Sequence, residues 1–276
     1  MAGSSILVNE ATWASVPAML RDARVLWRKD GIVSYRLPGP ANEVPIAVIV
    51  HVVAVELAEL EAILSLSTQH YKSFRLIFTC REGLHEKLDK AVHAYAHTLP
   101  DFIICRSDDT ATRADLLRSA FEHVHEPYFC WLDPRDMFVP SALAVVASAI
   151  HDSEADYYYS DRFYMNSNKW ACLQIQLNGY QPRAWTAPVF PFGPLAVIKT
   201  ATVRKSGGLK TMGISTWDID WLLAYQLLSG GNQLVHIPAT LYFEHASEYG
   251  MLRAFVDNEA RQKLLQTMRP KEPNGA

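Results

Sequence analysis

Between residues 46 and 132, short apolar runs alternate with stretches whose apolar residues recur at helical spacing, and no other feature limits the fold as much. Residues 46–53 form a continuous apolar run, the pattern of a parallel strand covered on both faces. Residues 56–67 then place Leu57, Leu60, Ile63 and Leu64 on one helical face. The pair recurs as strand 75–79 with helix 85–97, and as strand 102–105 with helix 112–123, before a further strand at 128–132. Such alternation predicts an α/β fold: a doubly wound, mainly parallel sheet flanked by helices, with right-handed crossovers.

The strand at 128–132 runs straight into Asp133-Pro-Arg-Asp136, so two acids three residues apart leave the end of an apolar run. Open α/β sheets bind ligands in the crevice at the C-terminal ends of their strands. A carboxylate pair there suits a metal or diphosphate site, and Arg135 is a cation set between the two acids. Beyond it the alternation is less regular. Residues 141–151 read as a helix and 156–160 as a short aromatic strand ending at Asp161. Residues 164–190, rich in Asn, Gln, Pro and Trp, read as an irregular ligand-shaping segment. A strand at 194–199, a Gly207-Gly208 turn, a helix at 218–229 and two short strands at 233–237 and 240–244 complete the domain.

Three regions follow. Residues 1–44 hold an amphipathic helix and the Pro38-Gly-Pro40 linker, 45–250 the α/β domain, and 251–276 a terminal helix and polar tail. In the first, Val16, Met19, Leu20, Ala23, Leu26 and Trp27 share a face while Arg21, Arg24 and Arg28 line another. A helix of this kind either packs on its own domain or lies on a membrane surface through residues 13–29.

The chain has 276 residues and a net charge of −3, a balance with no basic footprint for nucleic acid. No stretch reaches the ~20 apolar residues needed to span a bilayer. A start without a basic, apolar leader, and four cysteines without Cys-x-x-Cys spacing, lead to the expectation of a reducing, cytoplasmic setting, with membrane-peripheral contact open. No phosphate-binding glycine-rich loop and no nucleophile elbow occurs, which argues against NTPases, dinucleotide enzymes and serine hydrolases.

Five co-linear segments resemble the family 2 glycosyltransferases with the GT-A fold, particularly bacterial enzymes that build surface polysaccharides. They are Gln69-His-Tyr71 with the strand after it, Leu132-Asp-Pro-Arg-Asp136 with Pro140 and Ala142-Leu143, and Ala155-Asp156 with Tyr159-Ser-Asp161. Phe192-Gly-Pro-Leu-Ala196 through Trp217-Asp-Ile-Asp220, and His236-Ile-Pro-Ala-Thr-Leu-Tyr242, complete the set, which covers about residues 45–245. The resemblance implies a nucleotide-sugar-dependent transferase, acting with inversion on a glycan or lipid-linked acceptor.

By the same resemblance, Asp218 is the candidate base. Asp133, Arg135, Asp136, Arg81, Asp109 and Asp161 are donor-site candidates, and Trp217, Trp185 and Tyr180 are candidates to stack on acceptor sugars. Asp133, Asp136 and His245 are the candidate ligands for a divalent Mg or Mn ion. Two positions depart from the family pattern. Arg135 stands where the second acid of Asp-x-Asp belongs, and Cys80-Arg-Glu-Gly83 replaces an acidic base-binding turn. Arg135 either grips phosphate itself, making transfer metal-independent, or is a surface arginine paired with Asp136. The competing reading from another class is a non-catalytic GT-A-like scaffold that binds a partner or glycan.

Overall fold

The structure is a computed structural model. It describes residues 43–53, 60–165, 171–175, 195–209 and 231–245, the backbone of 5–6 and 35–36, and helical positions 223, 226 and 227. The expected helix within 13–29, the helix after Met251, and Tyr180, Trp185, Trp217 and Asp218 lie outside the described residues. No helix among the described residues is long and apolar enough to cross a membrane.

A two-residue ladder joins β1 (Ser5–Ile6) to β2 (Tyr35–Arg36). The main sheet begins with β3 (Ile46–Val52), followed by α1 (Leu60–Ser67), β4 (Phe74–Arg81), α2 (His85–His93), β5 (Phe102–Ser107), α3 (Arg113–Glu122) and β6 (Tyr128–Leu132). Then come β7 (Met137–Phe138), α4 (Ala142–Ser153), β8 (Tyr157–Met165), β9 (Ala171–Ile175), β10 (Ala196–Lys199), α5 (Thr200–Lys205) and β11 (Leu234–His245). The order across the sheet is β5-β4-β3-β6-β10-β8-β11-β7, with β9 also on β8.

The predicted parallel winding holds for β5, β4, β3 and β6. It stops at β10, which runs antiparallel to both β6 and β8, so the second half of the sheet is mixed. Alternation along the strands divides the core between the two faces. Ile46, Val48, Val50 and Val52 of β3 join one cluster, with residues of α1, α2 and α4. Ala47 and Ile49 join the other, with residues of α3 and with Leu223 and Leu227. The free thiols Cys80, Cys105 and Cys130 are buried, as their place in apolar runs predicts.

Three expectations change. The aromatic strand runs past Ser160 to Met165, because the polar side chains that seemed to end it have partners inside the sheet. Asp161 pairs with His236 at 2.8 Å, and Arg162 with Glu244 at 2.8 Å. The two short strands after residue 233 are one strand, β11. Its parallel ladder with β8 jumps from Ile237↔Ser160 to Thr240↔Asp161, so Pro238, which has no N–H to donate, sits in the irregularity. Likewise, the segment 164–190 is not wholly irregular: Ala171–Ile175 pairs antiparallel with β8.

Two buried polar side chains fix the turn that follows β6. Gln69, 1% exposed, donates from Nε2 to the carbonyls of Ser65 and Val139 and accepts from the Leu143 N–H. The His70 N–H adds a bond to the Pro140 carbonyl, and the Tyr71 hydroxyl one to Val44. This is the physical content of the Gln-x-Tyr segment: it staples α1 to the start of α4. From the other side, Asp136 accepts the Tyr242 hydroxyl at 2.6 Å and the His245 N–H at 2.7 Å, which ties the turn to β11.

Replacing Gln69 by Ala leaves the buried Leu143 N–H without its acceptor, while the Val139 and Ser65 carbonyls keep the Ala142 N–H and the Thr68 hydroxyl, and is expected to lower unfolding free energy by about 1–3 kcal/mol. Urea denaturation checks it, the midpoint falling at constant slope. For Asp136, burial first, and then the nearby Asp133 and Glu244, push the carboxyl well above its ordinary 3.8, against the Tyr242 and His245 bonds. A raised folded-state value means stability that is present below 3.8 and lost as pH rises through the folded value. Asp136→Asn mimics the neutral acid and is expected to stay within ~1 kcal/mol of the parent while flattening that decline, whereas Asp136→Ala is expected to lose ~2–4 kcal/mol. Denaturation at a series of pH values distinguishes them.

Candidate active site

Strand parity assembles the site. In β3, odd positions face α3, and His51 is the next odd residue after Ala47 and Ile49. In β4 and β6, Ile77, Phe129 and Trp131 belong to the same face. The next such positions at the C-terminal ends are Arg81 and, one residue past β6, Asp133. The ladders align these ends, with Val52 opposite Cys80 and Val50 opposite Leu132. Three adjacent strands therefore deliver His51, Arg81 and Asp133 to one crevice. The chain runs outward from β3 through β4 to β5 and then returns to β6, so this is the sheet's topological switch point.

The fourth side of the crevice is the N-terminus of α3. Thr112 and Asp115 close it with a capping box: the Asp115 N–H bonds to Thr112 Oγ1 at 3.2 Å, and Asp115 Oδ2 accepts the Thr112 N–H at 2.9 Å. That sets Arg113 as the first helical residue. The resulting cleft, about 240 Å³, is lined by His51, Val53, Arg81, Thr112, Arg113, Asp133, Pro134 and Arg135. It lies below the ~300 Å³ at which small-molecule pockets usually begin, a size for a phosphate-bearing fragment rather than a whole donor. A helix N-terminus adds a partial positive charge and favours an anion there.

Charges within the cleft are interlocked. Arg113 Nε donates to His51 Nε2 at 3.0 Å, and the same nitrogen lies 3.7 Å from Asp133 Oδ2. Burial, and then the Arg113 cation, lower the His51 pKa to about 3 against the opposing pull of Asp133. His51 is therefore neutral at ordinary pH. With Nε2 accepting, the proton belongs on Nδ1, which has no hydrogen-bond partner among the described residues. Burial would raise the Asp133 carboxyl, but it is held below its ordinary value by any charge on His51, by Arg135 and Arg113, and by the Arg135 N–H at 3.2 Å. Among the described residues that line the cleft are three guanidinium groups and one carboxylate.

The other predicted residues take different places. Arg81 anchors its Nε on the Ala111 carbonyl at 3.0 Å and lines the cleft. Arg135 contacts Asp133, with Nε 3.5 Å from Oδ1, and not Asp136 as the surface-pair alternative has it. Asp109 braces the loop below: its Oδ1 accepts the Gly83 N–H at 2.9 Å, and a Cβ at residue 83 would meet that oxygen at 3.2 Å, which is why glycine follows Arg81-Glu82. Asp161 pairs with His236, whose ring stacks on Tyr159, and neither acid is among the cleft's lining residues. Residue-level reading missed His51, Thr112 and Arg113. The signals were a lone histidine in an apolar run and a Thr-x-x-Asp cap.

The described residues do not gather a ligand set for a divalent cation. Asp133 offers one carboxylate to the cleft, and both Asp136 oxygens are engaged by β11. His245 meets Asp136 through its backbone N–H, and the third position is a cation. Among the described residues, no group of three or more His, Cys, Asp or Glu side chains is arranged to hold a metal. Hard divalent ions want several oxygen ligands.

His51 also makes a pH signature. Its folded-state pKa is depressed, so its contribution to stability is present above 6.5 and is lost as pH falls toward about 3. Replacement by Gln is expected to remove part of that acid sensitivity, on the order of a few kcal/mol between the two limits. Denaturation midpoints of both proteins across that range check it, and parallel curves overturn the assignment.

No protein-family model matches the chain, and neither does any curated protein sequence. Solved structures do. S. aureus TarS 1–349 bound to UDP-GlcNAc superposes with a TM-score of 0.62 at 16% identity, over 81% of this chain and 66% of that one. The same fragment bound to UDP gives 0.58 at 14%, over 78% of this chain and 65% of that one, so this chain spans slightly less than two thirds of it. The mannosyltransferase PcManGT from Pyrobaculum calidifontis, in complex with GDP-Man and Mn²⁺, gives 0.62 at 15%, over 95% of this chain and 74% of that one. The strand order, the crevice and these likenesses agree: the chain has the GT-A glycosyltransferase fold.

Proposed function

We propose that this chain transfers a sugar from a nucleotide-sugar donor to a glycan or lipid-linked acceptor, with inversion at the anomeric carbon. The observation that carries the reading is the cleft at the switch point, where Arg81, Arg113 and Arg135 surround Asp133. The neighbours of this fold were solved with UDP, UDP-GlcNAc and GDP-Man. A guanidinium-lined cleft at a helix N-terminus complements the diphosphate of such donors.

In the reaction, the acceptor hydroxyl oxygen attacks the anomeric carbon and gives its proton to a carboxylate, the role assigned to Asp218. The bond from that carbon to the diphosphate oxygen breaks, and the electron pair leaves with the nucleoside diphosphate. Charge accumulates on the departing phosphate in the transition state, and preorganised cations placed there lower the barrier. Asp133, kept ionised by its neighbours, is suited to accept hydrogen bonds from donor hydroxyls.

Asp218→Asn separates this reading from a non-catalytic scaffold. The variant is expected to keep donor affinity within about twofold, while turnover falls roughly 10²–10⁴-fold, the size of a lost general base. Turnover of radiolabelled nucleotide-sugars on glycan and lipid-linked acceptors is the measurement. Unchanged turnover in the variant overturns the role of Asp218, and a parent that binds donors but never turns over favours the scaffold.

A further inference from the structure

We infer that this chain holds the diphosphate of its donor with guanidinium groups, Arg135 foremost, in the place where a divalent cation would otherwise stand. The inference rests on the transferase reading above and specifies how its site works.

Three observations support it. First, the chemistry of the turn after β6 is inverted relative to a metal site. Asp136 is 6% exposed and engaged on both oxygens by Tyr242 and His245, so its carboxylate is directed into the fold. The turn residue that lines the cleft beside Asp133 is a cation, Arg135, with 40% of its side chain exposed. Its contact with Asp133, 3.5 Å from Nε, engages one edge of the group, and a guanidinium carries five donors.

Second, the cations come from three separate elements and converge. Arg81 ends β4, Arg113 starts α3 and Arg135 follows β6, yet all three line one cleft. Arg81 Nε bonds the Ala111 carbonyl, and Arg113 Nε bonds His51 Nε2. Among the described residues that line the cleft, the one carboxylate is Asp133. Arginines that converge in this way suit an anionic ligand, and a diphosphate is a dianion whose oxygens match guanidinium geometry. A second positive ion between the arginines would raise the repulsion instead.

Third, His51 is 2% exposed at the base of the cleft, with no partner for Nδ1 among the described residues. Its other nitrogen already accepts from Arg113, so the imidazole is not available as a metal ligand without breaking that bond.

The experiment is calorimetric titration of the full chain with UDP, GDP and dTDP and their sugar conjugates, in EDTA and in Mn²⁺. The native chain is expected to bind at least one nucleotide with an affinity that agrees within about twofold in the two buffers. Arg135→Asp, which rebuilds an Asp-x-Asp turn at a half-exposed position, is expected to bind at least tenfold more weakly in EDTA and to recover in Mn²⁺. Circular dichroism verifies that the variant is folded. Two outcomes overturn the inference alone: binding by the native chain only in Mn²⁺, or EDTA binding by Arg135→Asp that equals the native. Binding of no nucleotide in either buffer overturns the transferase reading itself and the inference with it.

Discussion

The carboxyl of Asp136 joins the two halves of the sheet. Its oxygens hold a tyrosine hydroxyl and a backbone N–H more than a hundred residues downstream on β11, which also meets this segment through the β7 ladder and the bond from the Val139 N–H to the Leu241 carbonyl. A buried acid is costly to leave unpaired, so once Tyr242 and His245 are in place the turn at 133–136 has one position. Gln69 then fixes the far end of the same segment at Val139 and Leu143. Between the two ties, Asp133 and Arg135 have little freedom except to face the cleft. A site built this way is preorganised by core contacts, and it keeps its geometry without a bound ion to organise it.

That arrangement also explains which parts of the molecule were readable from sequence. The parallel half was legible because β3, β4 and β6 are buried on both faces and each helix shows an apolar stripe; expected and observed bounds differ by a few residues at most strands. The second half was less so. Asp161 and Arg162 look like the end of a strand, and only their remote partners His236 and Glu244 make them interior. Pro238 reads as a break, yet β11 absorbs it as a ladder irregularity and continues. In both cases the deciding interaction is non-local, and a local pattern cannot contain it.

The site divides in the same way. Asp133, Arg135 and Arg81 were legible from their position at strand ends, and parity would have added His51, since it shares a face with Ala47 and Ile49. Arg113 was legible only as the residue after a cap. Asp136 is the instructive case: by sequence it is the partner of Asp133 in a carboxylate pair, and in the fold it is a structural acid. The sequence spacing of three residues is the same for both roles. What separates them is the tight turn in which the Asp136 N–H bonds back to the Asp133 carbonyl, with Pro134 fixing the chain between. The two carboxyls leave that turn toward different neighbours.

The electrostatics of the cleft follow from how His51 is held. Were it protonated, it would add a fourth positive charge beside Arg113 and neutralise part of the attraction between Asp133 and the arginines. Burial and the Arg113 N–H prevent that, so the imidazole acts as a neutral spacer through which Arg113 and Asp133 are kept apart but aligned. The charge of the cleft is then set by arginines, which do not titrate in the physiological range, and by a carboxyl held below its ordinary value. A metal site gains its charge by binding an ion, and gains or loses it with the ion's concentration. This cleft carries its charge covalently, and the geometry that presents it is the same geometry that buries Asp136 in the fold.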